Sequence, residues 1–574
     1  MQVLGFTRPG GTVSHATLFS MTVLAIDAGT TGVTALIVTA DGRVASRGYA
    51  EFSQYFPEPG WVEQLPDGIW QATLAAVAQA LEPDGTAGQV SCVGITNQRE
   101  TAVVWDRATL STPRRAIVWQ DRRTAALCAE LRDAGHESRV SELTGLRLDP
   151  YFTATKFAWL SAHDETIWAG VTDGELALGT VDSYLIARLT GGRRHVTDAS
   201  NASRTLLFDL AAGQWSAEMC ELFGVPPHAL PEVIPSTGVI GHTDPAAFLG
   251  LSLPIAGVAG DQQAALFGQA CFTPGATKCT YGTGSFVLAQ TGRAIVRSQA
   301  GLLSTVAWMD GDGTLSYALE GSVFVTGAAI QWLRDGLGIL ASAADSETLA
   351  RSVPDAAGVV FVPALTGLGA PDWDPDARGT IFGLTRGTTR AHLARATLEA
   401  IAFEVRDVVD VMAAEAVAAQ TTSSQPAPDR PANHPSDRSA SCPSDRPADH
   451  PANHPSDSSA SCPSDRPANR PPAAQVLRVD GGASANNLLM QIQADQLQVP
   501  VERPVIAETT ALGAAFLAGL ATGQWSSTEE LAAIWVLDRR FEPGHRDQAA
   551  HARWRDAVRR SLAWEPLSRP PTPT

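Results

Sequence analysis

Carboxylates and amides set at the ends of apolar runs are the residues of this chain whose types and spacing could do chemistry. The stretch Val258–Gln269, VAGDQQAALFGQ, is central among them. An apolar run from Pro254 to Ala259 reads as a strand that ends at Gly260. Asp261, Gln262 and Gln263 then open an amphipathic helix with Ala264, Leu266 and Phe267 on its apolar side. Strand ends of this kind are where α/β folds tend to bind ligands. Just downstream, Tyr281–Ser285, YGTGS, is a small-residue turn whose backbone N–H groups could approach a phosphate. An acid that can take a proton, beside a loop that can hold phosphate, points to phosphoryl transfer. Taken alone, Asp261 reads equally well as the cap of a core helix.

Two more turns of similar character flank this centre. Thr22–Ile26, TVLAI, is a β-type run leading into Asp27, and Val33–Val38 resumes as its antiparallel partner after a tight turn. The turn, DAGTTG, is not a Walker loop, since GxxxxGK[ST] is absent. It still suits a nucleotide. Thr30 and Thr31 can donate to phosphate oxygens, and Asp27 can hold Mg2+ through water. Leu477–Val479 reads as a strand, followed by Asp480, Gly481 and Gly482 and a helix from about Asn486 through Gln496. That order places amide donors and a helix N-terminus where an adenosine phosphate could lie. Three such turns in both halves match an actin-like or ribonuclease H-like ATPase, in which two related domains close over the nucleotide. The expected fold class is therefore α/β, with two ribonuclease H-like domains hinged near Gln269 around a central nucleotide and substrate cleft. Arg99 and Glu100 follow a strand at Val90–Ile95 and could hold a polyhydroxy substrate; the plain alternative is a surface ion pair. Asp149–Trp159, DPYFTATKFAW, reads as a turn into an aromatic-bearing helix, where aromatic residues are more often core than ligand-binding.

Bulk composition narrows the class. The chain has 574 residues, and a prior of roughly 150 residues per domain gives two or more domains. A net charge of −18, from 42 basic and 60 acidic residues, argues against a nucleic-acid surface. Seven cysteines, with no CxxC pair, indicate neither a disulfide framework nor a zinc site. No run approaches the roughly 20 apolar residues that span a bilayer, so membrane insertion is not expected. Residues 1–20 lack the layout of a signal peptide and read as a disordered extension or a misassigned start before Met21. A cytoplasmic location is expected.

The motifs in order resemble the FGGY family of carbohydrate kinases. They are DAGTTG at Asp27, PGWVEQ at Pro59, GITNQRETAVVW at Gly94, AIVWQDRRT at Ala116, DPYFTATK at Asp149, NASRTLLFD at Asn201, AGDQQAALFGQ at Ala259, YGTGSF at Tyr281, ALEGSVFVTGAAIQWLRD at Ala318, PALTGLGAPDWDPDARGTIFGLTRG at Pro363 and LRVDGGASANNLLMQ at Leu477. They run from about Met21 to about Pro543, apart from one insertion. The resemblance implies ATP-dependent phosphorylation of glycerol at a primary hydroxyl. Glycerol and ATP are then the ligands, with Mg2+ as cofactor and a homo-oligomer, dimer or tetramer, as the assembly. Carried over residue by residue, it implies Asp261 as general base. Arg99, Glu100, Tyr151, Asp261 and Gln262 would meet the glycerol hydroxyls, with Trp119 and Phe286 as the apolar wall. Nucleotide contacts would fall on Thr30, Thr31, Gly32, Thr283, Gly327, Gln331, Gly482 and Asn486, and Mg2+ on Asp27.

Two departures from the family pattern matter. Members usually carry Arg or Lys where this chain has Thr34, so one phosphate-facing cation is missing or supplied from elsewhere. His242–Leu253, HTDPAAFLGLSL, also lacks the GGTR-like segment with which some members bind fructose 1,6-bisphosphate, and inhibition by that compound is not expected. The insertion, Gln420–Ala474, contains a near-perfect 20-residue repeat starting at Pro431 and Pro451. It is rich in Pro, Ser, Asp and Arg and reads as a disordered loop without a catalytic part. Lengthening a connection of about five residues to about 55 costs only about 2 kcal/mol, at roughly 0.6 per doubling, so the fold can carry it. The domain expectation is 21–269 for the first unit and 270–565 for the second, interrupted by 420–474.

Overall fold

The computed structural model describes residues 21–83, 87–423 and 475–564. The extension 1–20 and nearly all of the insertion, including both repeats, lie outside the described residues.

The first sheet is built from β1 (Thr22–Ala28), β2 (Gly32–Val38) and β3 (Val44–Glu51), followed by helix α1 (Pro66–Leu81) and strand β4 (Val90–Asn97). Helix α2 (Thr153–His163) belongs to an inserted layer. The sheet is completed by β5 (Thr237–His242) and β6 (Pro254–Gly260), and α3 (Asp261–Gly268) leaves it. Spatial order is β5-β6-β4-β1-β2-β3. β1 pairs antiparallel with β2 and parallel with β4, and β4 pairs parallel with β6. Val23 to Ile26 are completely buried, which is why β1 reads as an unbroken apolar run instead of alternating.

The second sheet repeats this plan. Its strands are β7 (Thr277–Tyr281), β8 (Ser285–Gly292), β9 (Leu303–Met309) and β10 (Leu315–Val323). Helices α4 (Gly327–Gln331) and α5 (Arg390–Ser423) follow, then β11 (Leu477–Asp480), α6 (Asn487–Leu497) and β12 (Val501–Pro504). Helix α7 (Thr509–Thr522) and strand β13 (Leu537–Phe541) complete the unit. The order is β9-β10-β8-β7-β11-β12-β13. β7 pairs antiparallel with β8 and parallel with β11, as β1 does with β2 and β4. The hairpin turn of DAGTTG therefore corresponds to that of YGTGS, and the end of β4 to the end of β11. The fold is the expected duplicated α/β architecture.

Two details differ from the sequence reading. Helix α5 continues to Ser423, past the expected start of the insertion at Gln420. Helix α7, late in the chain, packs on the first sheet: Ala511, Ala515 and Phe516 share one core with Val23, Ala25, Leu36 and Ala256. That face of the first sheet would otherwise stand in water. The approach is close enough that a Cβ on Gly513 would lie 1.8 Å from the carbonyl oxygen of Ala264 on α3. Gln269, the expected hinge, ends α3, and its amide donates to Asp480 at 2.7 Å.

Candidate active site

The polar centre lies where β4 and β6 end and α3 begins in the first sheet, and β10 passes in the second. Gly260 caps α3 with extended backbone, and Asp261 is its first residue without a side-chain capping bond. The plain reading of Asp261 as a cap is therefore incorrect. Its Oδ1 accepts the backbone N–H of Gln262 at 2.8 Å and lies 3.1 Å from Arg99 Nε. The side chain keeps 27% of its surface exposed, so a ligand can reach it.

Arg99 and Glu100 are not a surface pair; both are buried. Glu100 sits in the left-handed region at φ 60°, a strained conformation for a residue with a side chain and one that clusters at functional sites. The four terminal N–H groups of Arg99 are all engaged. They donate to Glu320 Oε2 at 2.6 Å, Glu320 Oε1 at 3.1 Å, Gln263 Oε1 at 3.2 Å and the Tyr151 hydroxyl at 3.3 Å. A substrate hydroxyl must share or displace one of these, and the Tyr151 bond is the longest. Arg204 completes the network, donating to Glu100 at 2.7 Å and to Glu320 at 2.9 Å. Burial opposes ionisation of Glu320, but Arg204 and Arg99 outweigh it and hold its carboxyl down at about 2. Neither Glu320 nor Arg204 was singled out from the sequence. Both lie within the motifs ALEGS and NASRT, but no spacing along the chain shows that they meet.

The expected apolar wall is assembled. The Trp119 ring packs edge-on against Tyr151 at 5.6 Å and Phe286 at 6.3 Å, and Arg99 lies over Phe286 at 5.8 Å. Gln262 is partly spent: its Oε1 accepts a 2.6 Å bond from Lys278 Nζ, leaving the amide nitrogen. Lys278 is a third residue missed in the sequence, a fully buried cation whose amine also donates to Thr280 at 2.8 Å. Burial lowers its pKa. Lys156, on α2, is fully buried as well, and its amine donates to the carbonyls of Pro150, Tyr151 and Phe152 at 2.8, 2.7 and 3.2 Å. It pins the turn that presents Tyr151.

The residues expected at the nucleotide are placed at corresponding ends of the two sheets. Thr30 lies in the β1–β2 turn and Thr31 is exposed beside it. Gly32 is explained by packing, since a Cβ there would lie 2.8 Å from the carbonyl oxygen of Ala50. The Thr283 carbonyl accepts the N–H groups of Thr326 and Ala328, and Gly327 donates to Gly282 at 3.0 Å, so this turn and the start of α4 are one unit ending in Gln331. Gly481, at φ 82°, brings the DGG turn onto Tyr281, while a side chain on Gly482 would meet open space. Asn486 is mostly engaged: it caps α6 by accepting from Leu489 at 3.0 Å and donates to Ser346 at 3.3 Å. Asp27 is raised to about 7, first by burial and then by the nearby Asp261 carboxylate. Asp27 and Asp261 are near enough for each carboxylate to feel the other's charge, and a divalent ion would relieve that repulsion. Among the described residues no cluster of three or more His, Cys, Asp or Glu could hold a metal alone. Hard carboxylate oxygens such as those of Asp27 would suit Mg2+, which usually takes one or two carboxylates and completes its shell with water and phosphate. A cavity of about 810 Å³ opens from this centre, lined by Trp61, Trp119, Tyr151, Phe286, Phe324 and Thr283 among others.

A duplicated α/β fold with an acid, a polyol-sized polar cluster and phosphate-type turns defines a two-domain small-molecule kinase. Sequence models of the N-terminal and C-terminal domains of the FGGY family of carbohydrate kinases match residues 22–268 and 277–522. The chain belongs to the FGGY family. It is 48% identical to glycerol kinase 2 of Thermotoga maritima over 547 residues, 95% of this chain and 99% of that one. It is 50% identical to the glycerol kinase of Aromatoleum aromaticum over 546 residues, 94% of this chain and 99% of the relative. The crystal structure of Plasmodium falciparum glycerol kinase with ADP matches with a TM-score of 0.77 at 30% identity, covering 95% of this chain and 98% of that one. A xylulose kinase of Lactobacillus acidophilus, 19% identical with a TM-score of 0.74 over 94% of this chain and 97% of its own, shows the shared fold alone.

Proposed function

We propose that this chain is an ATP:glycerol 3-phosphotransferase, forming sn-glycerol 3-phosphate and ADP. The observation that carries the reading is the convergence of Arg99, Glu100, Tyr151, Asp261 and Gln262 on one small centre walled by Trp119 and Phe286. Those groups can meet three hydroxyls, and the aromatic faces can cover a three-carbon chain.

Asp261 is the general base in this reading. Arg99 and the Gln262 N–H fix its Oδ1, which leaves Oδ2 to take the proton of the attacking hydroxyl. Thr30, Thr31, Gly32, Thr283, Gly327, Gln331, Gly482 and Asn486 would hold the nucleotide. Asp27 would hold Mg2+, which supplies charge neutralisation on the phosphates when bound. Lys278 offers the positive charge that Thr34 does not. We extend the proposal to a cytoplasmic homo-oligomer on family resemblance. Among the described residues no helix is long and apolar enough to cross a membrane.

ADP release should depend on glycerol and should be near background with xylulose or without acceptor. A site built around hydroxyls rejects an analogue lacking one by roughly 10⁴, so kcat/KM for 1,3-propanediol should be lower by that order. Preference for xylulose would favour a pentulose kinase of the same family, and preference for gluconate a gluconate kinase. ATP binding without phosphorylation of any of these acceptors would leave an actin-like scaffold.

A further inference from the structure

Trp119 does more than wall a pocket. Its indole N–H donates to the Thr30 hydroxyl at 3.0 Å. A hydroxyl that accepts such a bond still has its own proton to give. The turn around Thr30 is otherwise held by its carbonyls. The Thr30 carbonyl accepts from Gln54 at 3.0 Å and Gln64 at 2.8 Å, and the Gly29 carbonyl from Gln98 at 3.2 Å. Gln98 also donates to Gln64 Oε1 at 2.8 Å. Thr101 donates to Gln98 Oε1 at 3.1 Å, and its hydroxyl accepts the Trp119 backbone N–H at 3.3 Å. These bonds close a ring from Trp119 through Thr101, Gln98 and Gln64 back to Thr30. Gln64, Gln98 and Thr101 are buried, so water does not compete for the links among them, while Trp119 and Thr30 are half-buried at the open side of the ring.

We infer that Trp119 is a positioning residue for the phosphate turn: its indole N–H orients the Thr30 hydroxyl so that the Thr30 proton is directed at a phosphate oxygen of the nucleotide. The acceptor wall and the phosphate turn then move as one unit. The inference rests on the glycerol kinase reading for the identity of the acceptor. Its link between Trp119 and nucleotide binding rests on the ring and on the reading of the Thr30 turn as a phosphate contact.

The test uses Trp119→Phe, which keeps an aromatic wall and deletes the N–H, together with Thr30→Val and the double variant. Calorimetry measures ATP binding in the absence of acceptor, and steady-state kinetics with glycerol measures kcat and KM. A hydrogen bond to a charged group supports an expectation of roughly tenfold weaker ATP binding for each single variant. The double variant should bind no more weakly than Thr30→Val, because Trp119 acts through Thr30. Glycerol KM for Trp119→Phe should stay within about threefold while kcat falls by about tenfold. Multiplicative losses in the double variant, or unchanged ATP affinity in Trp119→Phe, would overturn the inference. A parent enzyme inactive with glycerol would refute the substrate reading and leave the calorimetric comparison to decide this one.

Discussion

Arg99, at the end of a first-sheet strand, and Glu320, on a second-sheet strand, form a bidentate ion pair with both side chains buried. The pair joins the two domains at the point where substrate is proposed to bind. Arg204 shares the same carboxylate, so two guanidinium groups depend on Glu320. Removing one partner of a buried pair is costly, about 3–5 kcal/mol, because the other charge stays uncompensated. Glu320→Gln should therefore lower the thermal midpoint markedly in calorimetry. Adding Arg204→Met should recover part of the loss by removing the surplus charge. An unchanged midpoint in the single variant, or a double variant worse than the sum of the singles, contradicts the proposed charge balance.

Asp261→Asn keeps the side-chain shape but cannot take a proton. The turnover number should fall by roughly 10²–10⁴, while ATP affinity measured by calorimetry stays near that of the parent. Near-parental turnover in the purified variant would remove Asp261 from the role of base.

Much of this site was legible because strand ends announce themselves. The apolar run before Asp261, the hairpin around Thr30 and the strand before Gly481 each stop at small or polar residues, and each was placed within a residue or two. What was not legible depends on distant parts of the chain meeting. Glu320 is 221 positions from Arg99, and nothing local distinguishes a strand glutamate that meets two arginines from one that faces water. The packing of α7 on the first sheet was hidden for the same reason, since its sequence is apolar all round and gives no face. Trp119 was assigned by its ring, and its N–H, the part that reaches Thr30, left no trace in the sequence.

Lys156 offers a test of how Tyr151 is held. Its amine satisfies three consecutive carbonyls of the turn at 150–152. Burial lowers its pKa to about 8, and the carbonyls replace the water it loses. In Lys156→Met the Phe152 carbonyl keeps the Thr155 hydroxyl at 3.0 Å, while loss of the Lys156 bond from the Pro150 and Tyr151 carbonyls costs up to about 1–3 kcal/mol each unless the turn opens to water. An opened turn releases Tyr151 from Arg99. The expected result is a glycerol KM raised by about tenfold with ATP KM unchanged, the two being separated by varying each substrate in turn. A parallel rise in both constants would mean that the substitution disturbs the whole fold and not this turn.

His195 gives a prediction on acid stability, away from the site. An arginine only donates, so Nδ1, 3.0 Å from Arg107 Nη1, is the acceptor and Nε2 carries the proton given to the Leu178 carbonyl at 2.9 Å. The neutral ring is thereby fixed. Burial, and to a lesser degree the Arg107 charge, lowers its pKa from 6.5 to about 4 against the opposing pull of Leu178. The unfolded chain takes up a proton as pH falls below about 6.5, whereas the folded chain does so only near 4. The stability His195 contributes is therefore complete above about 6.5 and is lost as pH falls toward 4. The shift corresponds to at most about 3 kcal/mol, and partial exposure of the ring brings a realistic figure nearer 1–2 kcal/mol. Asp27 and Asp182, raised to about 7 and about 6, act with the opposite sign in the same window, so only a comparison with a variant isolates the histidine. Urea unfolding at pH 7 and pH 4.5 should show His195→Asn losing less stability between the two than the parent does. Equal losses in the two proteins would mean that the ring is not held neutral by Arg107 and Leu178.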